Sequence, residues 1–205
     1  MILLSRGRAA AERLFCHKRL IMMHAQRHET DPGVPPDAAL IRISRTSAAA
    51  DTARAVAAMR AAGEPAGSAA RRFARGDEFI GWQIGHATAC FGWITSRDRR
   101  VGHLRLTSRP STVYLYNFHT AEWARGGGLY SSLLLQIRHL LGMQGINDFI
   151  IDANERNLPS LKGMQRAGFR PLATVTFLTL FGRWNFNGSI ARLSPTDAIL
   201  KQVIR

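Results

Sequence analysis

The sequence predicts an α/β domain, and three observations predict it. Runs in which apolar residues alternate with period 2 are interleaved along the chain with runs of period 3.6. The glycines Gly126-Gly127-Gly128 join an aromatic strand pattern at 114–120 to the helical stripe Leu129, Leu133, Leu134, Ile137, Leu140 and Leu141. A short buried strand at 149–152 then leads to Asn157-Leu158-Pro159-Ser160, a helical segment at 161–167 and Gly168-Phe169. At 205 residues the chain is long enough for one such domain with a sizeable core and an extension.

Taken in order, residues 1–36 read as a basic N-terminal arm and linker. Residues 8–16 can be helical, and 19–24 hold Leu20-Ile21-Met22-Met23, a run too short to decide between strand and helix. Because the arm is rich in Arg and Ala, an organellar transit peptide is the rival reading. The apolar run favours packing on the domain instead. Prolines and glycine at 31–36 mark a linker, so the domain is expected over 37–205. Residues 39–44 alternate as a first strand, 48–62 are an Ala-rich helix, 63–67 break it, and 69–75 form a second short helix. Residues 79–84 and 87–94 read as an antiparallel hairpin around Gly85-His86. The stretch 96–110, with Arg97, Arg99, Arg100, Arg105 and Arg109, reads as a solvated basic connector. Strand 114–120, the glycine loop and its helix follow, and 172–180 with 184–190 make a final strand pair.

Bulk properties narrow the function classes. No apolar stretch approaches the roughly 20 residues that span a bilayer, so no membrane span and a soluble protein are expected. Cys16 and Cys90 have neither metal-ligand nor redox spacing, which points to a reducing cytoplasm and to no metal. The net charge of +14 invites a nucleic-acid reading. Yet 25 of the 28 basic residues are Arg, a bias that a GC-rich coding sequence produces, and few aromatic residues interleave with them. Nucleic acid is therefore not expected as the main partner; attraction to an acidic substrate or to phosphates fits the charge better.

The glycine loop carries the chemistry. Without Cβ atoms it lets an oxyanion approach the backbone, and its N–H groups point at a helix start where unpaired amides and the macrodipole favour anions. Arg125 adds a fixed charge. Together with the Asn157 turn and Gly168-Phe169, the loop Arg125 to Tyr130 resembles the GCN5-related N-acetyltransferase superfamily, whose acyl-CoA site pairs an Arg/Gln-x-x-Gly-x-Gly/Ala loop with a later Asn-containing turn. The resemblance runs over residues 79–181. It implies a mixed, mostly antiparallel central sheet in which the strands before and after the loop helix are parallel neighbours that splay apart to hold acetyl-CoA. It also implies an amine-bearing acceptor, with a homodimer left open. Two positions depart from the pattern: Tyr130 replaces the usual Gly or Ala, and Met164 replaces a Tyr that protonates the leaving thiolate in many members.

On that resemblance, amides of Gly126, Gly127, Gly128, Leu129 and Tyr130 hold the pyrophosphate, and the backbone of Phe118 and Thr120 pairs with the pantetheine arm like an added strand. Asn157 hydrogen-bonds the pantetheine or its acyl end, with Ser160 near the CoA phosphates. The ordinary structural reading of both is a helix cap. For the proton acceptor, His119 has the right chemistry, and Glu122 just beyond the strand could act through a water chain. A packed histidine and an exposed surface carboxylate are their plain alternatives. Tyr114 and Tyr116 can donate a proton, although strand tyrosines mostly pack. Cys90 reads as a buried inert thiol. The function expected is acetyl transfer to a primary amine of a small molecule or sugar. The rivals are a non-catalytic acyl-CoA-binding or sensing module and a basic nucleic-acid binder.

Overall fold

The computed structural model describes residues 15–65, 67–101, 104–180 and 184–192. Among them the elements run β1 (Phe15–Gln26), β2 (Ala38–Ile43), α1 (Ala49–Ala61), α2 (Ser68–Ala74), β3 (Glu78–Ile84), β4 (Ala87–Thr95), β5 (Arg99–Val101) and β6 (Leu104–Leu106). After these come β7 (Thr112–Thr120), a 3₁₀ turn (Glu122–Ala124), α3 (Leu129–Met143), β8 (Asp148–Asn154), α4 (Leu158–Arg166), β9 (Arg170–Leu180) and β10 (Trp184–Arg192). One sheet takes the order β10-β9-β1-β8-β7-β4-β3-β2, and β5 pairs with β6 apart from it. Only the β7–β8 pair within that sheet is parallel.

Residues 15–26, expected in the N-terminal arm, instead form a strand inside the sheet, between β8 and β9. The reason is visible in Leu20-Ile21-Met22-Met23. Met22 and Met23 are both fully buried, Met22 among Trp93, Tyr116 and Phe79 on one face and Met23 among Leu133, Leu134 and Ile151 on the other. A strand covered on both faces needs no alternation, so a four-residue apolar run could not reveal its type. Of the helix expected over 8–16, only Phe15 and Cys16 are described, and they open β1.

The helices cover the two faces separately. α1 and α2 bury Ala55, Met59, Ala69 and Phe73 on the Met22 face, while α3 and α4 bury Leu133, Leu134, Ile137 and Met164 on the Met23 face. The connector 96–110, expected as solvated surface, contains the β5–β6 hairpin and buries Val101 and Leu106.

Two features of β7 shape the site. Its ladder with β8 covers only Thr112–Leu115 against Asp148–Ile151. Beyond that point β7 continues along β4 to Thr120 and β8 continues along β1 to Asn154, so the strands part. This is the splayed parallel pair that the resemblance implies. The second feature is a bulge. Asn117 has φ 54°, and the β4–β7 register passes from Trp93↔Tyr116 to Phe91↔His119, three steps on β7 against two on β4.

The bulge reverses side-chain parity. Tyr114 and Tyr116 lie on the α1/α2 face, and so does His119, whose ring is 5.7 Å from Phe91. Phe118 packs on the α3/α4 face, over Gly92, where a Cβ would come within 2.3 Å of its ring. Strict alternation would have placed His119 on the opposite face from Tyr116.

Candidate functional site

The loop after β7 leaves its backbone open at the start of a helix. Gly126 and Gly128 have φ of 87° and 74°, conformations that L side chains rarely adopt, and a Cβ at any of the three glycines would meet nothing within 4 Å. Gly128 is the N-cap of α3 and supplies no side-chain cap. Ser132 makes the first helical bond, to Gly128 O at 3.0 Å, so the amides of Leu129, Tyr130 and Ser131 have no acceptor within the helix. The first turn carries no acidic residue to offset the dipole. Leu129, Leu133 and Ile137 anchor this helix end on the sheet.

A cavity of about 530 Å³ opens over the loop, between the diverging β7 and the start of α4. It brings together Phe118, His119, Thr120, Arg125, Gly126, Gly128, Leu129, Tyr130, Asn157 and Ser160. Gly127 lies between two of these. Glu122 is outside the lining; its side chain is 87% exposed and meets Arg125 at 3.5 Å. Lys162 and Arg166 also line the cavity, and sequence reasoning missed both. Their i,i+4 spacing, which puts two cations on one face of the helix after Asn157, was the available signal.

Asn157 caps α4 as its plain reading held: Oδ1 accepts a hydrogen bond from Ser160 N at 3.3 Å. That bond uses only the oxygen and leaves the Nδ2 donors for another acceptor. Ser160 Oγ is 3.3 Å from the Tyr130 hydroxyl, and burial holds that phenol well above its ordinary pKa. Met164 is in the core at 1% exposure and does not line the cavity. Cys90 is fully buried, accepts a hydrogen bond from Thr120 Oγ1 at 3.3 Å, and has its pKa pushed up to about 12 by burial. It is an inert thiol.

On the other face of the fork two titratable groups stand on opposite strands. His119, on β7, is held below its ordinary pKa first by burial and then by Arg125, with Glu122 and Glu64 opposing. It is therefore neutral near pH 7. Asp152, on β8, is one residue past Ile151, where the β7–β8 ladder ends. Burial pushes it up to about 6, against the pull of Arg99. Sequence reasoning passed over Asp152 as a strand end. A carboxylate directly after the apolar run Phe149-Ile150-Ile151 was the clue.

No family model and no curated sequence match this chain. Solved structures do match its fold. A GNAT-family acetyltransferase from Novosphingobium aromaticivorans superposes with TM-score 0.52 at 17% identity, over 87% of this chain and 66% of that one. A GCN5-related N-acetyltransferase from Sphaerobacter thermophilus gives 0.58 at 12%, over 87% and 56%, and a GNAT-family acetyltransferase from Colwellia psychrerythraea 0.57 at 15%, over 90% and 62%. The chain thus has the fold of the GCN5-related N-acetyltransferases and spans between 56% and 66% of the length of these neighbours.

Proposed function

We propose that the chain is an acyl-CoA-dependent N-acyltransferase that moves an acetyl group from acetyl-CoA to a primary amine by direct attack in a ternary complex. The observation that carries this reading is one cavity holding both an uncapped helix N-terminus behind a Cβ-free loop and the edge of β7 beyond its last pair with β8. The first suits a pyrophosphate, and the second suits the amides of a pantetheine arm. Amides of Gly126 to Tyr130 with Arg125 hold the pyrophosphate, Lys162 and Arg166 take further phosphate charge, and the Phe118–Thr120 edge orients the arm. Asn157 donates through Nδ2 to a carbonyl of the donor.

The acceptor enters as an ammonium and must lose one proton before it attacks. Its nitrogen lone pair then forms the C–N bond at the thioester carbonyl carbon, the C–S bond breaks, and the sulfur leaves with that electron pair. A second proton passes from the new amide nitrogen to solvent. The thiolate, with a pKa near ~8.5, takes its proton from water, because neither Met164 nor the high-pKa Tyr130 is suited to donate one. We assign the ammonium proton to His119, directly or through water; Asp152, on the neighbouring strand, is the alternative acceptor. Holding amine and thioester together supplies most of the acceleration.

Calorimetric titration with acetyl-CoA, followed by a thiol-release screen over a panel of amines, tests this. Saturable micromolar-scale binding with amine-dependent release supports it. Absence of binding at millimolar acetyl-CoA overturns it, and binding without release for any amine makes the chain an acyl-CoA sensor.

A further inference from the structure

Across β7 from the glycine loop, on the α1/α2 face, lies a second cavity of about 640 Å³ between α2, the β5 strand and the Asn117 bulge. Six guanidinium groups contribute to its wall: Arg71, Arg72, Arg75, Arg97, Arg99 and Arg100. Only three carboxylates accompany them, Glu64, Asp77 and Asp98. Arg72 is matched by Glu64 at 3.4 Å and Arg75 by Asp77 at 3.0 Å, while Asp98 is matched by Arg105 at 2.8 Å, outside the cavity. Among the described residues no carboxylate comes within ion-pair distance of Arg71, Arg97, Arg99 or Arg100.

Arg99 is the unusual member. Its guanidinium lies 3.9 Å over the Tyr116 ring and 4.7 Å from the centre of the Tyr114 ring, and its buried Nε has no hydrogen-bond partner among the described residues. Stacking fixes the plane of the half-buried fork and shields its Nε from water. A fixed, part-shielded fork of N–H donors is the arrangement that binds a carboxylate or phosphate by two parallel hydrogen bonds. Burial lowers the pKa of Arg99 despite the opposing pull of Asp152, Tyr116 and Asp77, a remaining cost that a bound anion would offset. Tyr116 cannot turn away, since its hydroxyl donates to the buried Asp77 at 2.7 Å.

Position connects this cavity to the fork. Tyr116 and Asn117 line it, while Phe118, His119 and Thr120, the next residues of the same strand, line the cleft. We propose that the arginine cavity holds the anionic group of the acceptor, so that the substrate is a small amine carrying a carboxylate or a phosphate. This rests on the acetyl-transfer reading for what happens to the amine, but the anion site stands on its own geometry. A cavity of this volume matches a small molecule rather than a polymer.

The test separates the two. Glutamate, phosphoethanolamine and their counterparts lacking the anionic group, glutamic acid dimethyl ester and ethanolamine, are titrated calorimetrically into the protein. Each titration is done with saturating CoA and again in the Gly127→Glu variant, so that phosphate in the glycine loop is not mistaken for the new site. At least one amine bearing an anionic group is expected to bind tenfold or more tighter than its counterpart without it. That preference should fall about tenfold in Arg97→Gln/Arg100→Gln, whose exposed positions spare the core, and in Arg99→Gln. The carboxylate and phosphate arms tell which anion is used. Equal binding of the amines with and without the anionic group, or a preference unchanged in both variants, overturns the proposal. Tight uptake of a single-stranded oligonucleotide with steep salt dependence and no small-anion preference also overturns it, in favour of nucleic acid. If anion binding holds while CoA fails to bind, the cavity stands and the acetyl-transfer reading falls.

Discussion

The ring of Tyr130 fills the space that a side chain at position 163 would need: a Cβ on Gly163 would lie 2.4 Å from Tyr130 Cδ1. Tyr130 stands where the superfamily pattern has Gly or Ala. Packed against α4 and 5.5 Å from the Phe118 ring, it lies down beside the cleft instead of projecting into the glycine loop. The larger residue in the loop is thus matched by a missing one in the facing helix.

Gly163→Ala tests this match through its sign. In an unencumbered helix the change should stabilise by about 1 kcal/mol. Here it is expected to destabilise by about 1–3 kcal/mol, as overpacking does, and to weaken acetyl-CoA binding as Tyr130 is pushed out. The companion Tyr130→Ala should relieve most of that cost in the double variant, giving a clear coupling term. Chemical denaturation of the four proteins measures it, and an additive cycle would show that the two side chains do not compete.

Gly127→Glu should remove CoA binding with little effect on folding. Unlike Gly126 and Gly128 it has an ordinary φ, and its Cβ would meet nothing within 4 Å. A carboxylate there faces the pyrophosphate site and repels it. Unchanged calorimetric affinity in a well-folded variant would sink the cradle.

Asn157→Ala should lose about 1 kcal/mol of stability, because the cap bond to Ser160 N is in place. A larger loss, roughly tenfold or more in kcat/KM per folded molecule, is expected from the missing Nδ2 donor. Denaturation midpoints measured beside kinetics separate the two effects. A stability loss without a kinetic one would leave Asn157 as a cap only.

These residues also mark how far the sequence could be read. The glycine loop, Asn157 and the α3 stripe are local features with their own periods and turn chemistry, and local features survive translation into structure. β1 did not announce itself, because burial on both faces erases the alternation that identifies a strand. The parity of His119 depended on one bulge residue, Asn117, whose positive φ has no reliable sequence mark. Arg99 sat within a run of arginines that looked solvated, and only the fold brought Tyr114 and Tyr116 beneath it. What was illegible was long-range.

Asp152 gives a pH-dependent stability test. Its folded pKa, about 6, is raised above the ordinary 3.8, so the stability tied to its protonated form is present below about pH 4 and lost as pH rises through about 6. Asp152→Asn should therefore stabilise the fold at about pH 8, by no more than about 3 kcal/mol for a shift of this size, and make little difference at about pH 4. An equal effect at both pH values would mean that Asp152 is not desolvated in the native state.

The proton acceptor is decided by comparing His119→Ala, Glu122→Gln and Asp152→Asn with one amine. His119 is held below its ordinary 6.5, so the acidic limb of kcat/KM should lie below about pH 6.5, and Asp152, at about 6, also titrates in that range. A profile alone cannot separate them, and the amine titrates as well. His119→Ala is expected to lower kcat/KM roughly 10²-fold and flatten that limb. Glu122→Gln should leave both unchanged, since its carboxylate is exposed and turned to Arg125. If instead Asp152→Asn produces the large loss and the flattened limb, the base is on β8 and His119 only packs on Phe91. Near-normal rates in all three between about pH 6 and 9 would mean that the reaction runs on the fraction of amine already neutral in solution.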